Sequence, residues 1–261
     1  MSHILAGVKR PYRWFFGVLG VVVATPIALW ALNPGVPPGS NFNMTYWELQ
    51  LPTGSTGNPT TISSSSLQGG YENFSYFFTE SGDGAMVMKV PGDPADSGCV
   101  TTTNSTHCRT ELREVSPSTG NAVSWSPTAA TNRLTATLAV EAADNGSHGT
   151  VIGQIHMDDS VSTKPVIELY YASNGTIQAG VEQTRSGGDE VYTTVGSVPL
   201  GQQFTYEIEY SGGVLKVAIN GNFTTLSTYS LDNPASYFKA GNYDQGSNAS
   251  DVHFFALTIQ H

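Results

Sequence analysis

Short segments in which polar and apolar residues alternate make up most of the chain after residue 41, and they constrain the fold more than any other feature. The clearest are RLTATLAVE (133–141), PVIELYYA (165–172), TIQAGVEQ (176–183), QFTYEIEY (203–210), VLKVAIN (214–220) and VHFFALTIQ (252–260). Because successive side chains of a strand point to opposite faces, this alternation predicts strands with one face in a core. Turn sequences such as SNG and SGG separate the segments, and none has helical periodicity. We therefore predict an all-β fold, a two-sheet antiparallel sandwich or β-jelly roll.

The N-terminal part of the chain has a different composition. Residues 14–32 form an almost uninterrupted apolar run that follows three basic residues. Such a run is typical both of a long secretory signal and of a membrane span, so residues 1–32 are predicted to be either a signal peptide or an uncleaved signal anchor. In both cases the basic residues place the rest of the chain outside the cytosol, secreted or anchored. The stretch NPGVPPGSN (33–41) is predicted to be a linker to a domain at 42–261.

The two cysteines and the glycosylation sequons also suit an exported protein. Cys99 and Cys108 bracket a Thr/Asn-rich loop, and no CxxC or paired-histidine spacing accompanies them, so a disulfide is predicted rather than a metal site. Seven Asn-x-Ser/Thr triplets are candidates for glycosylation in a eukaryotic host. They begin at Asn43, Asn73, Asn104, Asn145, Asn174, Asn222 and Asn248.

Three of the predicted strands carry polar side chains on a face where a sandwich core would require apolar ones. RTELRE (109–114), QIH (154–156) and YFKAGNYDQ (237–245) each alternate in this way. The polar members are Arg109, Glu111, Arg113, Gln154, His156, Tyr237, Lys239, Tyr243 and Gln245. Arginine is seldom buried unless it is paired, so three such faces together indicate a concave, solvated sheet surface.

The charge balance indicates what this surface binds. The chain has 11 Lys and Arg against 21 Asp and Glu and a formal net charge of −10, which disfavours binding to nucleic acid. After the linker only eight basic residues remain, and three of them, Arg109, Arg113 and Lys239, lie in the three motifs. An acidic protein that gathers its cations in one groove is suited to an anionic polymer, here a carboxylated or sulfated polysaccharide.

Arginine, glutamine, histidine and tyrosine can together perform β-elimination on a uronate without a metal or other cofactor. The C5 hydrogen becomes acidic when Arg and Gln neutralise the uronate carboxylate. His156 is then suited to remove that hydrogen, and a tyrosine phenol to protonate the departing glycosidic oxygen. The E-x-D-x-x-E pattern, which would supply two carboxylates for hydrolysis, is absent, so a glycoside hydrolase is disfavoured.

The three motifs, in this order and spacing, resemble the signature motifs of the alginate lyases of polysaccharide lyase family 7, and the likeness extends over most of residues 42–261. The resemblance implies a β-jelly roll and endolytic cleavage of alginate that leaves a 4,5-unsaturated uronate. It also implies that Gln154 and an arginine neutralise the carboxylate, that His156 is the base for guluronate, and that Tyr243 is the acid. For mannuronate, Tyr243 serves as both base and acid. Within the family, Ile155 in QIH accompanies activity on guluronate-containing blocks.

Several assignments remain open at this level. Arg109 and Arg113 share a face with Glu111, so spacing does not decide between them; Arg113 is placed in the catalytic set and Arg109 among the substrate-binding residues. Glu111 is expected to hold one arginine by a salt bridge. Lys239, Tyr237 and Gln245 are expected to contact sugar or line the groove. Two other functions fit the pattern, a lyase for another polyuronate such as glucuronan and a non-catalytic carbohydrate-binding jelly roll; a monomer is expected in each case.

Overall fold

Two antiparallel β-sheets form the framework of the computed structural model, which describes residues 31–261. The strands in chain order are β1 (Trp47–Ser55), β2 (Asn58–Ile62), β3 (Phe77–Thr79), β4 (Met86–Val90), β5 (Arg109–Glu114), β6 (Arg133–Ala142), β7 (Thr150–Met157), β8 (Pro165–Tyr171), β9 (Thr176–Val181), β10 (Val191–Ser197), β11 (Phe204–Ser211), β12 (Val214–Ile219), β13 (Asn222–Leu226), β14 (Ser236–Tyr243) and β15 (Ser250–Gln260). The helices are α1 (Pro38–Asn41), α2 (Ser64–Gln68), α3 (Pro94–Ser97) and a 3₁₀ helix at Met44–Tyr46.

The first sheet has eight strands in the spatial order β10-β9-β8-β7-β14-β5-β1-β2. The second has seven, in the order β13-β12-β11-β6-β15-β4-β3. All pairings between these strands are antiparallel, which confirms the predicted all-β sandwich. The segments predicted from alternation begin and end within two residues of β6, β8, β9, β11, β12 and β15.

The three α-helices have no counterpart in the sequence prediction, because each is four or five residues long and cannot display a helical period. Local caps define two of them instead. The Ser63 side chain accepts a hydrogen bond from the Ser66 N–H at the start of α2. Asp93 caps α3 in the same way, and Gly98 ends that helix in the left-handed conformation.

Residues 33–41 lie against the sandwich, and Leu32–His261 form one compact unit. The Asn41 amide donates to the carbonyl oxygens of Asn33 and Gly84, and Pro38 is buried in α1. The predicted signal or anchor lies almost wholly outside the described residues. Within residues 31–261, no helix has the length and apolar character needed to cross a membrane.

The core lies between the two sheets, and one tyrosine joins their centres. Strand β11 buries alternate residues, as its sequence predicts, and Tyr206 is fully buried. The Tyr206 hydroxyl crosses to the first sheet and donates a 3.0 Å hydrogen bond to the carbonyl oxygen of Ile152 on β7. The next residue, Gly153, leaves the space that the phenol occupies, since a Cβ there would lie 2.5 Å from the Tyr206 oxygen. This contact fixes β7 against the opposite sheet.

We predict that Gly153→Ala lowers the free energy of unfolding by about 1–3 kcal/mol, because the added methyl group overpacks the site of the Tyr206 hydroxyl. Urea unfolding followed by fluorescence measures the change. Gly82→Ala is the matched control, since no atom lies within 4 Å of a Cβ at that position. Equal stability of the two variants would contradict this account of the packing.

Candidate active site

The sheet order brings the three polar motifs together, because β7, β14 and β5 are neighbours in the first sheet. On β14, Lys239 pairs in register with Arg113 of β5 on one side and with Gln154 of β7 on the other. Tyr237 pairs with His156, and Tyr243 pairs with Arg109. Side chains that are far apart in the sequence thus meet on a single sheet face.

A groove of about 580 Å³ lies over this face. It is lined by eight of the nine predicted residues, namely Arg109, Glu111, Arg113, Gln154, His156, Tyr237, Lys239 and Tyr243. Gln245, the ninth, is not among the residues that line the groove. Strand β14 ends at Tyr243, so alternation no longer sets the direction of the Gln245 side chain, and its backbone N–H donates to Asp144 outside the groove.

Glu111 is the centre of a buried ionic cluster. One of its carboxylate oxygens accepts from the Gln154 amide, and the other accepts from Arg109 at 3.1 Å and from Lys239 at 2.5 Å. To reach Gln154 on β7, the Glu111 side chain must cross β14, where its register partner is Gly241. A Cβ on Gly241 would lie 2.6 Å from the Glu111 Cα, so glycine permits this close approach.

The cluster holds more positive than negative charge in a site with little water. Glu111 is 1% exposed, Lys239 is 7% exposed and Arg109 is 9% exposed. Burial opposes the charge on Glu111, but Lys239 and Arg109 outweigh it and hold the pKa of this carboxyl below its usual range. Burial and the repulsion of Arg109 lower the pKa of Lys239 to about 8. At neutral pH two cations therefore face one anion, and a net positive charge is available to a ligand.

His156 is held as a neutral base. Its Nδ1 lies 2.7 Å from the carbonyl oxygen of Met157, which can only accept, so Nδ1 carries the hydrogen and Nε2 keeps a free lone pair. Burial and the nearby Lys239 lower the pKa of His156 to about 4. The ring also stacks on Tyr237, with centroids 5.1 Å apart, which fixes its orientation.

Tyr243 lies on the opposite side of the cluster from His156. The Arg109 guanidinium carbon is 3.6 Å from the centroid of the Tyr243 ring, a cation–π contact. The Tyr243 hydroxyl is 3.0 Å from Ser105 Oγ. Ser105 belongs to the loop between Cys99 and Cys108, which are joined by the predicted disulfide.

The two arginines have different surroundings, which spacing alone did not reveal. Arg109 contacts Glu111 and Tyr243 in the buried cluster. Arg113 stacks on the Tyr237 ring at 4.2 Å and donates to Asp159 at 2.8 Å. The Nε atoms of both arginines are buried and have no hydrogen-bond partner among the described residues, so both retain donor capacity.

The groove also contains an acidic end that sequence reasoning missed. Glu168, Glu182 and Glu190 line it near β8, β9 and β10. The Tyr170 hydroxyl lies 2.5 Å from Glu168 and 2.8 Å from Glu190. Because burial disfavours their charge, the pKa of Glu168 and that of Glu182 rise to about 7. No recognised motif marks these residues, and alternation in PVIELYYA gave only the weak signal of a carboxylate in a buried strand.

Within residues 31–261, no group of three or more His, Cys, Asp or Glu side chains is arranged to hold a metal ion.

Comparison with known proteins agrees with this arrangement. The sequence model of a family described as alginate lyase matches residues 42–261. An alginate lyase from Klebsiella pneumoniae is 28% identical over 302 residues, covering 92% of this chain and 95% of that protein. A solved structure of family 7 alginate lyase A1-II′ in complex with substrate (GGMG) is 31% identical with a TM-score of 0.75, over 87% of this chain and 97% of that one. An alginate lyase structure from Pseudomonas aeruginosa is 32% identical with a TM-score of 0.72, and the match covers 84% of this chain and 99% of that one.

A jelly roll of two antiparallel sheets, with cations, a neutral imidazole and a phenol in one groove, is the arrangement of a polysaccharide lyase. The chain belongs to the alginate lyase family, polysaccharide lyase family 7. It is a carbon–oxygen lyase of the alginate lyase type, as the three motifs predicted, and its substrate is a polysaccharide.

The shifted pKa values of the groove residues predict the pH profile of kcat/KM on alginate. His156, with a pKa of about 4, stays neutral well below the ordinary imidazole range, so activity should persist down to about pH 5. On the alkaline side KM should rise, because Glu168 and Glu182 gain negative charge near pH 7 and Lys239 loses its positive charge near pH 8. Steady-state kinetics measured from acid to alkaline pH test both the acid and the alkaline side of this profile.

Lys239→Arg isolates the contribution of the lysine, since arginine stays charged at every pH of the assay. We expect the alkaline rise in KM to move to higher pH in this variant. Lys216→Arg, on β12 of the other sheet, is the control and should leave the profile unchanged. An acid limb centred near pH 6.5 would contradict the account of His156.

Proposed function

We propose that the domain cleaves alginate endolytically by β-elimination, favours guluronate-containing blocks, and leaves a 4,5-unsaturated uronate at the new non-reducing end. The observation that carries the proposal is the buried cluster around Glu111, which places two cations and the Gln154 amide between His156 and Tyr243. The family relationship supports the substrate, and a related lyase has been solved with a product (GGG) and with a substrate (GGMG).

Neutralisation of the substrate carboxylate is the first requirement of the reaction, because the transition state moves a second negative charge toward that group. We assign this role to Gln154 and Arg109, and we revise the choice of Arg113 made from the sequence. Arg109 supports the assignment by its contacts with Glu111 and Tyr243, and its buried Nε lacks a partner in the described structure. Arg113, paired with Asp159, is instead assigned to a neighbouring sugar.

Two proton transfers complete the elimination on guluronate. His156 Nε2 takes the C5 hydrogen, the C4–O bond breaks as the C4=C5 double bond forms, and the Tyr243 hydroxyl protonates the departing oxygen. Solvent then returns a proton from His156 to Tyr243. Mannuronate presents its C5 hydrogen on the other side relative to the leaving oxygen, so Tyr243 acts there as both base and acid. The free lone pair on Nε2 and the lowered pKa of His156 support its role as base.

An internal mode of attack is supported by the way the groove is lined. The groove is lined on one side by residues of β1 and β2, such as Glu48 and Thr61. On the other side it is lined by residues of β8 and of the segment before β10, such as Glu168 and Glu190. The catalytic residues lie between these two ends. A polymer that crosses the sheet can therefore extend past the catalytic residues in both directions.

We predict that His156→Asn lowers kcat on polyguluronate by about 100-fold or more, because a general base contributes about that much, and lowers kcat on polymannuronate much less. Tyr243→Phe should remove most activity on both polymers. The ultraviolet absorbance of the new double bond, conjugated with the carboxylate, measures each rate. Product lengths early in the reaction measure the mode of attack, and long intermediate products indicate internal cleavage.

His253→Asn is the matched control for these variants, since His253 lies on β15 of the second sheet and pairs with Asp251. Glucuronan is the control substrate. Faster cleavage of glucuronan than of either alginate polymer would contradict the proposed substrate, and equal loss on both polymers in His156→Asn would contradict the division of roles.

We also propose that the domain acts outside the cytosol as a monomer, with the N-terminal segment serving as its signal or anchor. The Cys99–Cys108 disulfide supports this location, because such bonds persist in oxidising compartments.

A further inference from the structure

We propose that Ser105, held in place by the Cys99–Cys108 loop, is a positioning residue for the tyrosine that protonates the leaving group. This inference rests on the proposed role of Tyr243 and extends it to a residue outside the three motifs. Ser105 lies in the groove beside Asn104 and Thr102 of the same loop.

The hydrogen bonds of Ser105 define the direction in which the Tyr243 hydroxyl points. Ser105 Oγ donates to the carbonyl oxygen of His107 at 3.0 Å and accepts from the His107 N–H at 3.1 Å. Serine has one hydroxyl hydrogen, and the His107 carbonyl uses it. The 3.0 Å contact with Tyr243 is then completed when the phenol donates and Ser105 accepts. For the reaction on guluronate, this arrangement holds the Tyr243 hydroxyl in a fixed orientation as a proton donor.

During elimination the same serine has a second use. When Tyr243 gives its proton to the departing glycosidic oxygen, a phenolate oxygen is left next to Ser105. Rotation of the serine O–H from His107 toward Tyr243 then supplies a hydrogen bond to this anion, while the His107 N–H continues to hold Ser105 Oγ in place. Hydrogen bonds to charged groups stabilise more than neutral ones, so the contact strengthens as the charge forms.

The loop that carries Ser105 is tied to the sheet at several points. The disulfide joins Cys99 to Cys108. The Cys108 carbonyl accepts from the N–H of Asp244, the residue after Tyr243, and the Val100 N–H donates to Pro52 on β1. The loop therefore connects the backbone beside Tyr243 with the side chain that contacts its hydroxyl. Opening the disulfide would release Ser105 from this position.

The first experiment compares Ser105→Ala with the wild-type protein on alginate. We expect kcat to fall about 10-fold or more, the loss expected for a hydrogen bond to a charged group, with KM changed less than about 2-fold. Ser105→Thr, which keeps the hydroxyl, should restore most of kcat. Thr103→Ala is the matched control, because Thr103 is an exposed residue of the same loop and lies outside the sequon that begins at Asn104. A kcat for Ser105→Ala equal to that of the control would overturn the proposal.

The second experiment tests the link to the disulfide by treating the wild-type protein and Ser105→Ala with a thiol reductant. Reduction should lower kcat of the wild-type protein toward that of Ser105→Ala, and it should have little further effect on Ser105→Ala. Thermal unfolding of each reduced sample shows that the domain stays folded at the assay temperature. An equal loss in both proteins, or no loss in the wild type, would overturn the link.

These outcomes are separate from a failure of the proposed function. A wild-type protein without activity on any alginate polymer would contradict that function before a variant is compared. Normal wild-type activity together with a fully active Ser105→Ala would leave the function intact and overturn the role of Ser105.

Discussion

The active site depends on a carboxylate that never meets solvent. Glu111 accepts hydrogen bonds from an arginine, a lysine and an amide that come from three adjacent strands. Removing such a partner from a buried ion cluster typically costs about 3–5 kcal/mol, because the remaining charges lose their compensation. The cluster thus fixes the positions of the arginine, the lysine and the amide at the floor of the groove, and it does so without cancelling their positive charge. An anionic sugar enters a site whose electrostatics are already organised.

The sequence predicted most of this arrangement because polar and apolar side chains alternate regularly through the strands that form the groove. Alternation in RTELRE and YFKAGNY correctly places Arg109, Glu111 and Lys239 on one face and Leu112 and Phe238 in the core. The three motifs meet because the strands that carry them, β7, β14 and β5, are antiparallel neighbours in the first sheet. Composition also predicted that the groove is positively charged, because the chain has few basic residues after the linker and three of them lie in the motifs.

The remaining features depend on tertiary contacts that no local pattern encodes. The sequence pattern extends the alternation to Gln245, but the strand ends two residues earlier, so alternation does not set the direction of this side chain. The different surroundings of Arg109 and Arg113 come from groups distant in the sequence, Tyr243 for Arg109 and Asp159 for Arg113. Ser105 reaches Tyr243 across 138 residues of sequence, and the acidic end forms from separate strands and loops.

The contact between Tyr206 and the Ile152–Gly153 peptide bears on where in the chain a substitution can change the rate of the reaction. This peptide lies directly before Gln154 and only a few residues before His156, so the far sheet supports the catalytic strand from behind. Substitutions at residues outside the groove can therefore affect the reaction through this hydrogen bond to the backbone of β7. Substitutions that lower kcat are therefore expected outside the groove as well, and Tyr206 on β11 is the first position at which we expect them.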